Sequence, residues 1–337
     1  MEPERTSASW SRRRVLQVIA AAPAFAALPA RARGADAAPV LWRGRLMGAE
    51  ASLAIYAPPA ARASAEEALA EAVALARRLE ALFSLYRADS ALVLLNETGR
   101  LRAPPPDFAA LLAHAALMHR LTDGFFNPLV GVLFDLYLAH FADRPLDEAG
   151  PPRSALEAVR PLLCWSALRH DDRAVTLAAG AKLSFNGIAQ GYATDRVAEL
   201  LGRRGFRPVL VNFGEYRALG GHPRGTPFTV GLADPRAPGA VIGTLPVSPA
   251  LAASSPFAAV FDEEGRFHHL LDPRTARPAA DAPAGIWVAA GDATTADALS
   301  TGLAVAPPTR RHGILARFPG AKAWILGADG RLLPLSG

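Results

Sequence analysis

The chain has one cysteine, Cys164, among its 337 residues. A single thiol excludes an intrachain disulfide framework and any Cys-rich zinc site. Lysine is almost as scarce, at positions 182 and 322 only, so the basic side is nearly all arginine. The formal net charge of +5 suggests a nucleic-acid partner, but its source argues against one. Residues 1–37 hold six of the 36 Lys+Arg and three of the 31 Asp+Glu, which leaves 30 against 28. A balanced remainder lacks the excess of base that phosphate backbones demand, so nucleic acid is set aside. Internal repeats, heptads and a second long apolar run are also missing, which excludes solenoids, coiled coils and multi-span membrane proteins. What is present is a chain 51% hydrophobic and 20% charged, enough to bury a sizeable core and too apolar for a disordered tail.

The N-terminus is set apart. Ser11-Arg12-Arg13-Arg14-Val15-Leu16-Gln17 precedes a mildly apolar run, Val18 to Ala30. Small residues follow, with Ala30-Arg31-Ala32 and Ala35-Asp36-Ala37 as candidate cleavage sites. A charged start, an apolar middle and a small-residue end describe an export signal. The paired arginines before Val-Leu are of the twin-arginine type. The run is short and carries Pro23 and Pro29, a poor membrane span. A basic amphipathic tail or an uncleaved anchor is the alternative. The expectation is a twin-arginine export signal over 1–37, one domain over 38–337, and a periplasmic protein peripheral to the membrane at most.

Patterns along the rest read as mixed α+β. Val40–Met47 and Ala51–Ala57 alternate loosely around Gly48 as paired strands. Ser64–Phe83 repeats apolar residues at three- and four-residue steps, with Ser64 and Glu67 as a capping box. Helices follow over Phe108–Leu121, from Pro128 through Phe141 with Asn127 as N-cap, over Ile188–Arg203 and over Thr294–Ala306. Pro145–Pro152 is a loop, and Asp171-Asp172 turns a hairpin. Strands are predicted at Lys182–Phe185, Val209–Phe213, Phe228–Ala233, Ala258–Phe261, His268–Leu271 and Ile286–Ala290, with a closing hairpin of Ala323–Leu326 and Arg331–Leu335.

Four polar clusters interrupt these elements. Asn186-Gly187-Ile188-Ala189-Gln190-Gly191-Tyr192 opens a helix with two glycines, where backbone can approach a ligand and free N–H groups favour an anion. Glycine at a strand–helix turn is more often there for geometry alone. His268-His269 with Asp272-Pro273-Arg274-Thr275 ends a strand, where only one of the two imidazoles can face a given pocket. Asp297 and Thr301 are four apart on one helix face, with Ser300 beside them, and a carboxylate with hydroxyls suits a hard cation. The competing reading is a buried Asp capping its own helix. Thr122-Asp123-Gly124-Phe125-Phe126-Asn127-Pro128 puts two aromatic rings at a helix entrance, suited to a flat heteroaromatic ring or simply to core.

In order, Phe83-Ser84-Leu85-Tyr86 with Asp89-Ser90, Thr122–Pro128, Gly187–Asp195, Val211-Asn212-Phe213-Gly214, His268–Thr275 and Ala296–Thr301 resemble the ApbE family of FAD:protein FMN transferases. The likeness runs from Met47-Gly48 to the C-terminal hairpin. It implies an α+β, T-fold-like architecture with FAD in a cleft and Mg²⁺ or Ca²⁺ at the pyrophosphate. It also implies transfer of FMN from FAD to a Thr or Ser hydroxyl of an exported acceptor, such as a flavin-bearing subunit of a membrane redox complex, with release of AMP. By the same resemblance Asp297, Ser300, Thr301 and the Gly187 carbonyl hold the cation. Met47, Tyr86, Phe125 and Phe126 line the flavin or adenine, Asn127, Ser184 and Gln190 stand at cofactor-binding positions, and His269 meets the phosphate or moves a proton, with Asp297 as the other catalytic residue.

The chain departs from the family at several of these places. The family usually has Asp where this chain has Asn127 and Ser184, Lys at Gln190, Gly-Gly where only Gly214 precedes Glu215, Ala-Thr-Ser-Gly at Ala252–Ser255, and Gly at Ala276. Losing a positive charge at 190 implies weaker FAD affinity, since charge-assisted bonds are roughly twice as strong as neutral ones. Two further readings follow: a non-catalytic periplasmic protein that binds and delivers FAD, and a structural accessory of a redox complex with no flavin.

Overall fold

Eight strands pair in chain order into one antiparallel sheet. They are β1 (Val40–Leu46), β2 (Ala49–Ile55), β3 (Val209–Asn212), β4 (Tyr216–Leu219), β5 (Ala250–Ser254), β6 (Ile286–Ala290), β7 (Lys322–Leu326) and β8 (Leu332–Leu335). This computed structural model describes residues 39–237 and 239–335, with the backbone of Phe25–Ala26. The export signal read over 1–37 therefore lies outside the described residues, apart from Phe25–Ala26, whose backbone pairs with Gly231–Leu232.

Long excursions leave the sheet and return to it. Between β2 and β3 run α1 (Arg62–Phe83), α2 (Ala91–Thr98), α3 (Pro106–Leu121), α4 (Gly131–Asp143), α5 (Arg153–Val159) and α6 (Ala189–Arg203). A small three-stranded sheet of Arg100–Arg102, Ala174–Leu177 and Leu168–His170 lies among them. The ribbon Phe228–Ala233/Val241–Val247 separates β4 from β5. After β6 come α7 (Ala293–Val305) and α8 (Pro308–Leu315).

Alternation of side chains along the strands gives the sheet two buried faces. Val209, Val211, Ala252, Ile286 and Val288 join the main core with the helices. Their neighbours Ala218, Leu251, Trp287 and Ala289 pack under the ribbon's Phe228, Val230, Leu232 and Leu245. Helix α1 presents Ala65, Ala68, Leu69, Ala72, Val73, Ala76, Leu79 and Phe83 to the core, the periodicity seen in its sequence. Each large side chain so buried contributes roughly 1.5–3 kcal/mol. A third cluster joins Tyr137 and Phe141 of α4 to Phe261, Phe267 and Leu271, pinning the loop that carries His269. The Tyr137 hydroxyl donates to the Ala276 carbonyl at 3.1 Å. Ala276 itself holds φ 57, the left-handed conformation that explains a glycine at this family position.

Several local expectations are corrected. Helix α1 begins at Arg62, and its N-cap Ala61 makes no side-chain cap, so Ser64 and Glu67 are interior positions. Lys182–Phe185 is not a strand: Leu183 exchanges hydrogen bonds with the Asn96 amide side chain, and the Ser184 amide donates to Pro128. Ala258–Phe261 and His268–Leu271 meet only at the bridge Val260–His268. Asn127 does cap, with Oδ1 accepting from the Leu129 amide at 2.9 Å, but a 3-10 turn precedes α4. Among the described residues no helix is long and apolar enough to cross a membrane.

Candidate functional site

Helices α6 and α7 run antiparallel, with Gly187 against Thr301 and Asp195 against Thr294, and they touch through glycine. A methyl group on Gly191, in the first turn of α6, would stand 2.3 Å from the Ala293 carbonyl oxygen and 2.8 Å from the Asp297 Cβ. No side chain fits there, and the bare backbone lets the Gly191 amide donate to Asp297 Oδ2 at 3.0 Å. One turn further along α6, Asp195 accepts the Ala293 and Thr294 amides at 2.9 and 2.8 Å and the Thr294 hydroxyl at 2.6 Å. Asp292 caps from within the chain, accepting the Thr295 amide at 2.6 Å. Together these carboxylates satisfy the amides that open α7 and fix where Asp297 points.

Hydroxyl-bearing residues neighbour Asp297 on α7. Thr301 lies on its helix face, and a methyl on Gly187 would stand 2.9 Å from Thr301 Oγ1, so the turn before α6 and the middle of α7 are in contact. Ser300 is fully buried; its hydroxyl donates to the Asp297 carbonyl at 2.9 Å and lies 2.8 Å from Ser254 Oγ on β5. Glu215, at the entrance to β4, is buried as well, and its Oε2 accepts from the Ala253 amide at 3.2 Å.

The charge balance here is unusual. Burial pushes the Asp297 carboxyl up to about 7, with the Gly191 hydrogen bond opposing and Asp195 adding to the rise. Burial raises Glu215 well above the usual range, and the neighbouring Asp297 charge raises it further. Among the described residues no Lys, Arg or His forms an ion pair with either acid. Two buried acids without a cation call for protons or for a metal. The donor set suits a hard divalent ion: one carboxylate, hydroxyls and a backbone carbonyl, with a second carboxylate behind. It is not a cluster of side-chain acids and imidazoles, since no three His, Cys, Asp or Glu converge on a metal position among the described residues.

His269 sits in the loop held by Phe261, Phe267 and Leu271. Its Nδ1 lies 3.0 Å from the Ala259 carbonyl, which can only accept, so Nδ1 carries the proton and Nε2 keeps its lone pair. Burial lowers its pKa to about 4, against the Ala259 hydrogen bond and with a smaller push from His268. A lowered value means the ring is neutral above about pH 4 and gains a second proton only below it. NMR of a ¹⁵N-labelled ring at pH 6 is therefore expected to show the neutral Nδ1–H form. A doubly protonated ring at that pH would overturn the assignment.

The remaining candidates divide. Tyr86 is half exposed, its phenol raised by burial and then by Asp135, which pairs with Lys182. Met47 lies in the β1–β2 turn, where its carbonyl accepts from Gln190 Nε2 at 3.0 Å. Phe125 and Phe126 are both in the main core, and the Arg274 guanidinium covers Phe125 at 3.6 Å from the ring centroid. Asn127 spends both ends of its amide locally, donating to the Leu163 carbonyl at 2.8 Å. Ser184 is buried, with its hydroxyl accepting from Asn186 at 3.3 Å. Sequence reading passed over Glu215, Asp195, Ser254 and Arg274 as site residues. Asp195, Ser254 and Arg274 each stand in a segment that the sequence singles out, and Glu215 is an acid directly after Gly214.

Comparison with known proteins finds relatives over most of the chain. The profile of the ApbE family matches residues 47–325. The FAD:protein FMN transferase of Haemophilus influenzae is 30% identical over 275 residues, covering 78% of this chain and 79% of that one. Its namesake in Treponema pallidum is 29% identical over 310 residues, 83% and 82% of the two chains. The crystal structure of the ApbE protein from Thermotoga maritima superposes with a TM-score of 0.75 at 26% identity, covering 88% of this chain and 96% of that one. The flavin transferase ApbE from Vibrio cholerae shares the fold, with a TM-score of 0.74 at 23% identity and the same coverage.

Proposed function

The chain belongs to the ApbE family, and from that membership we propose how it works. It is a transferase that moves FMN from FAD to a protein. In our reading the acceptor group is a Thr or Ser hydroxyl of an exported protein, a subunit of a membrane redox complex, and AMP is released. The observation that carries this reading is the pair of buried acids Asp297 and Glu215, unpaired with Lys, Arg or His among the described residues, beside the contact of Gly187 with Thr301. Asp297, Thr301 and the Gly187 carbonyl would hold Mg²⁺ or Ca²⁺ there, with Ser300 bracing Asp297 through its carbonyl. When bound, the ion neutralises the charge that builds on a pyrophosphate as it breaks.

The protein's own part is positional and acid–base. The acceptor oxygen forms a bond to the FMN phosphorus, the bond from that phosphorus to the bridging oxygen breaks, and AMP leaves with that oxygen. The hydroxyl proton goes to His269 Nε2, the nitrogen left bare by the Ala259 contact. The twin-arginine pattern of residues 11–17 supports export of the folded protein to the periplasm.

The test combines the protein with FAD, Mg²⁺ and an acceptor domain of a flavin-carrying membrane subunit. After denaturing electrophoresis the acceptor band is expected to fluoresce under ultraviolet light, and to stay dark with chelator. Fluorescence that survives chelator would sink the metal assignment. A dark band from protein that binds FAD would leave a delivery protein as the reading.

A further inference from the structure

We infer that Gln190 is a positioning residue for the flavin substrate, acting by holding the Met47 turn and not by touching FAD. The inference rests on the FAD reading above. β1 and β2 are joined by the two-residue turn Met47-Gly48, flanked by the paired Leu46 and Ala49. Both turn residues are left-handed, at φ 54 and 78. Such turns favour Asn-Gly, and a Met in the first position is strained by about 1–3 kcal/mol unless its surroundings hold it.

Gln190 supplies that hold from 143 residues away. Its Nε2 donates to the Met47 carbonyl at 3.0 Å. The same amide rests on Gly214, where φ is 102 and a methyl group would stand 3.2 Å from the Gln190 Cδ. One side chain therefore ties the Met47 turn to the start of α6 and to the β3–β4 turn, next to Glu215. One amide N–H held on the Met47 carbonyl fixes the turn beside the start of α6 and Glu215, so its effect on a ligand there passes through the placed turn.

A double-mutant cycle separates this from direct contact. FAD dissociation constants are measured by flavin fluorescence for wild type, Gln190→Ala, Met47→Ala and the double variant. Gln190→Ala is expected to weaken FAD about fivefold, the scale of one neutral hydrogen bond. In the Met47→Ala background the same change should add less than about twofold, because the side chain that the clamp positions is gone. Gln190→Lys, which keeps a donor, should restore affinity. Fully additive losses would overturn the inference. Hydrogen exchange without FAD gives a second readout: Met47–Glu50 amides should exchange faster in Gln190→Ala, and unchanged exchange would overturn the clamp. Wild-type protein that fails to bind FAD would overturn the functional reading instead, leaving the exchange result to decide the clamp alone.

Discussion

Asp297→Asn is expected to fold as well as wild type and yet lose FMN transfer by at least about a hundredfold, the scale for removing a charge-stabilising group from a reaction centre. The amide oxygen of Asn can still accept the Gly191 N–H that Asp297 accepts at 3.0 Å, so the α6–α7 contact survives. What disappears is a buried carboxyl that burial and then Asp195 push toward protonation, and whose charge adds to the rise at Glu215. Loss of that charge leaves the thermal midpoint level or higher, while the cation loses its carboxylate. A melting curve and the fluorescent-band assay on the same sample measure both halves. Near-normal transfer by the variant would remove Asp297 from the metal site.

Gly191→Ala should cost about 3 kcal/mol or more of folding stability, because the overlap is with backbone that cannot rotate away. Its new methyl would lie 2.3 Å from the Ala293 oxygen, which forces α6 and α7 apart and releases the caps on α7. Gly202→Ala in the same helix makes the control. The nearest atom there is the Leu219 Cδ1 at 3.2 Å, the movable end of a side chain. That variant is expected to be unchanged or up to about 1 kcal/mol more stable, the usual gain from Ala over Gly in a helix. Urea unfolding of the pair measures both. Equal effects would mean that the α6–α7 contact is not the constraint described.

Much of the fold could be read from local pattern. The 3.6-residue period of α1 and the clear edges of β3, β6 and the closing hairpin reappear within a few residues. Short elements were lost. Helix α2 is capped by Ser90, whose hydroxyl accepts from Val93 at 2.9 Å, but eight residues give too few turns for a periodic signal. β4 and β5, no shorter than β3 and β6, carry no β-branched residue in Tyr216–Leu219 or Ala250–Ser254 and so give no strand signal. The capping box at Ser64 failed because Pro59–Ala61 already forms a helical turn upstream, which carries the helix through the cap position. The Phe125-Phe126 pair shows the limit on site reading: whether an aromatic ring lines a cleft or fills a core depends on what covers it, and here Arg274 does.

Spacing and residue chemistry along the chain were enough for the α+β class, the ordered motifs of the ApbE family and the Asp297–Thr301 helix face. These depend on contacts within one or two turns of backbone, which a linear order encodes directly. Three-dimensional packing alone made Glu215 a partner of Asp297, gave Asp195 the task of capping a helix about a hundred residues away, and turned Gln190 toward the Met47 carbonyl. A buried carboxylate or amide takes its role from the few atoms that replace its water, and in this protein those atoms come from distant segments.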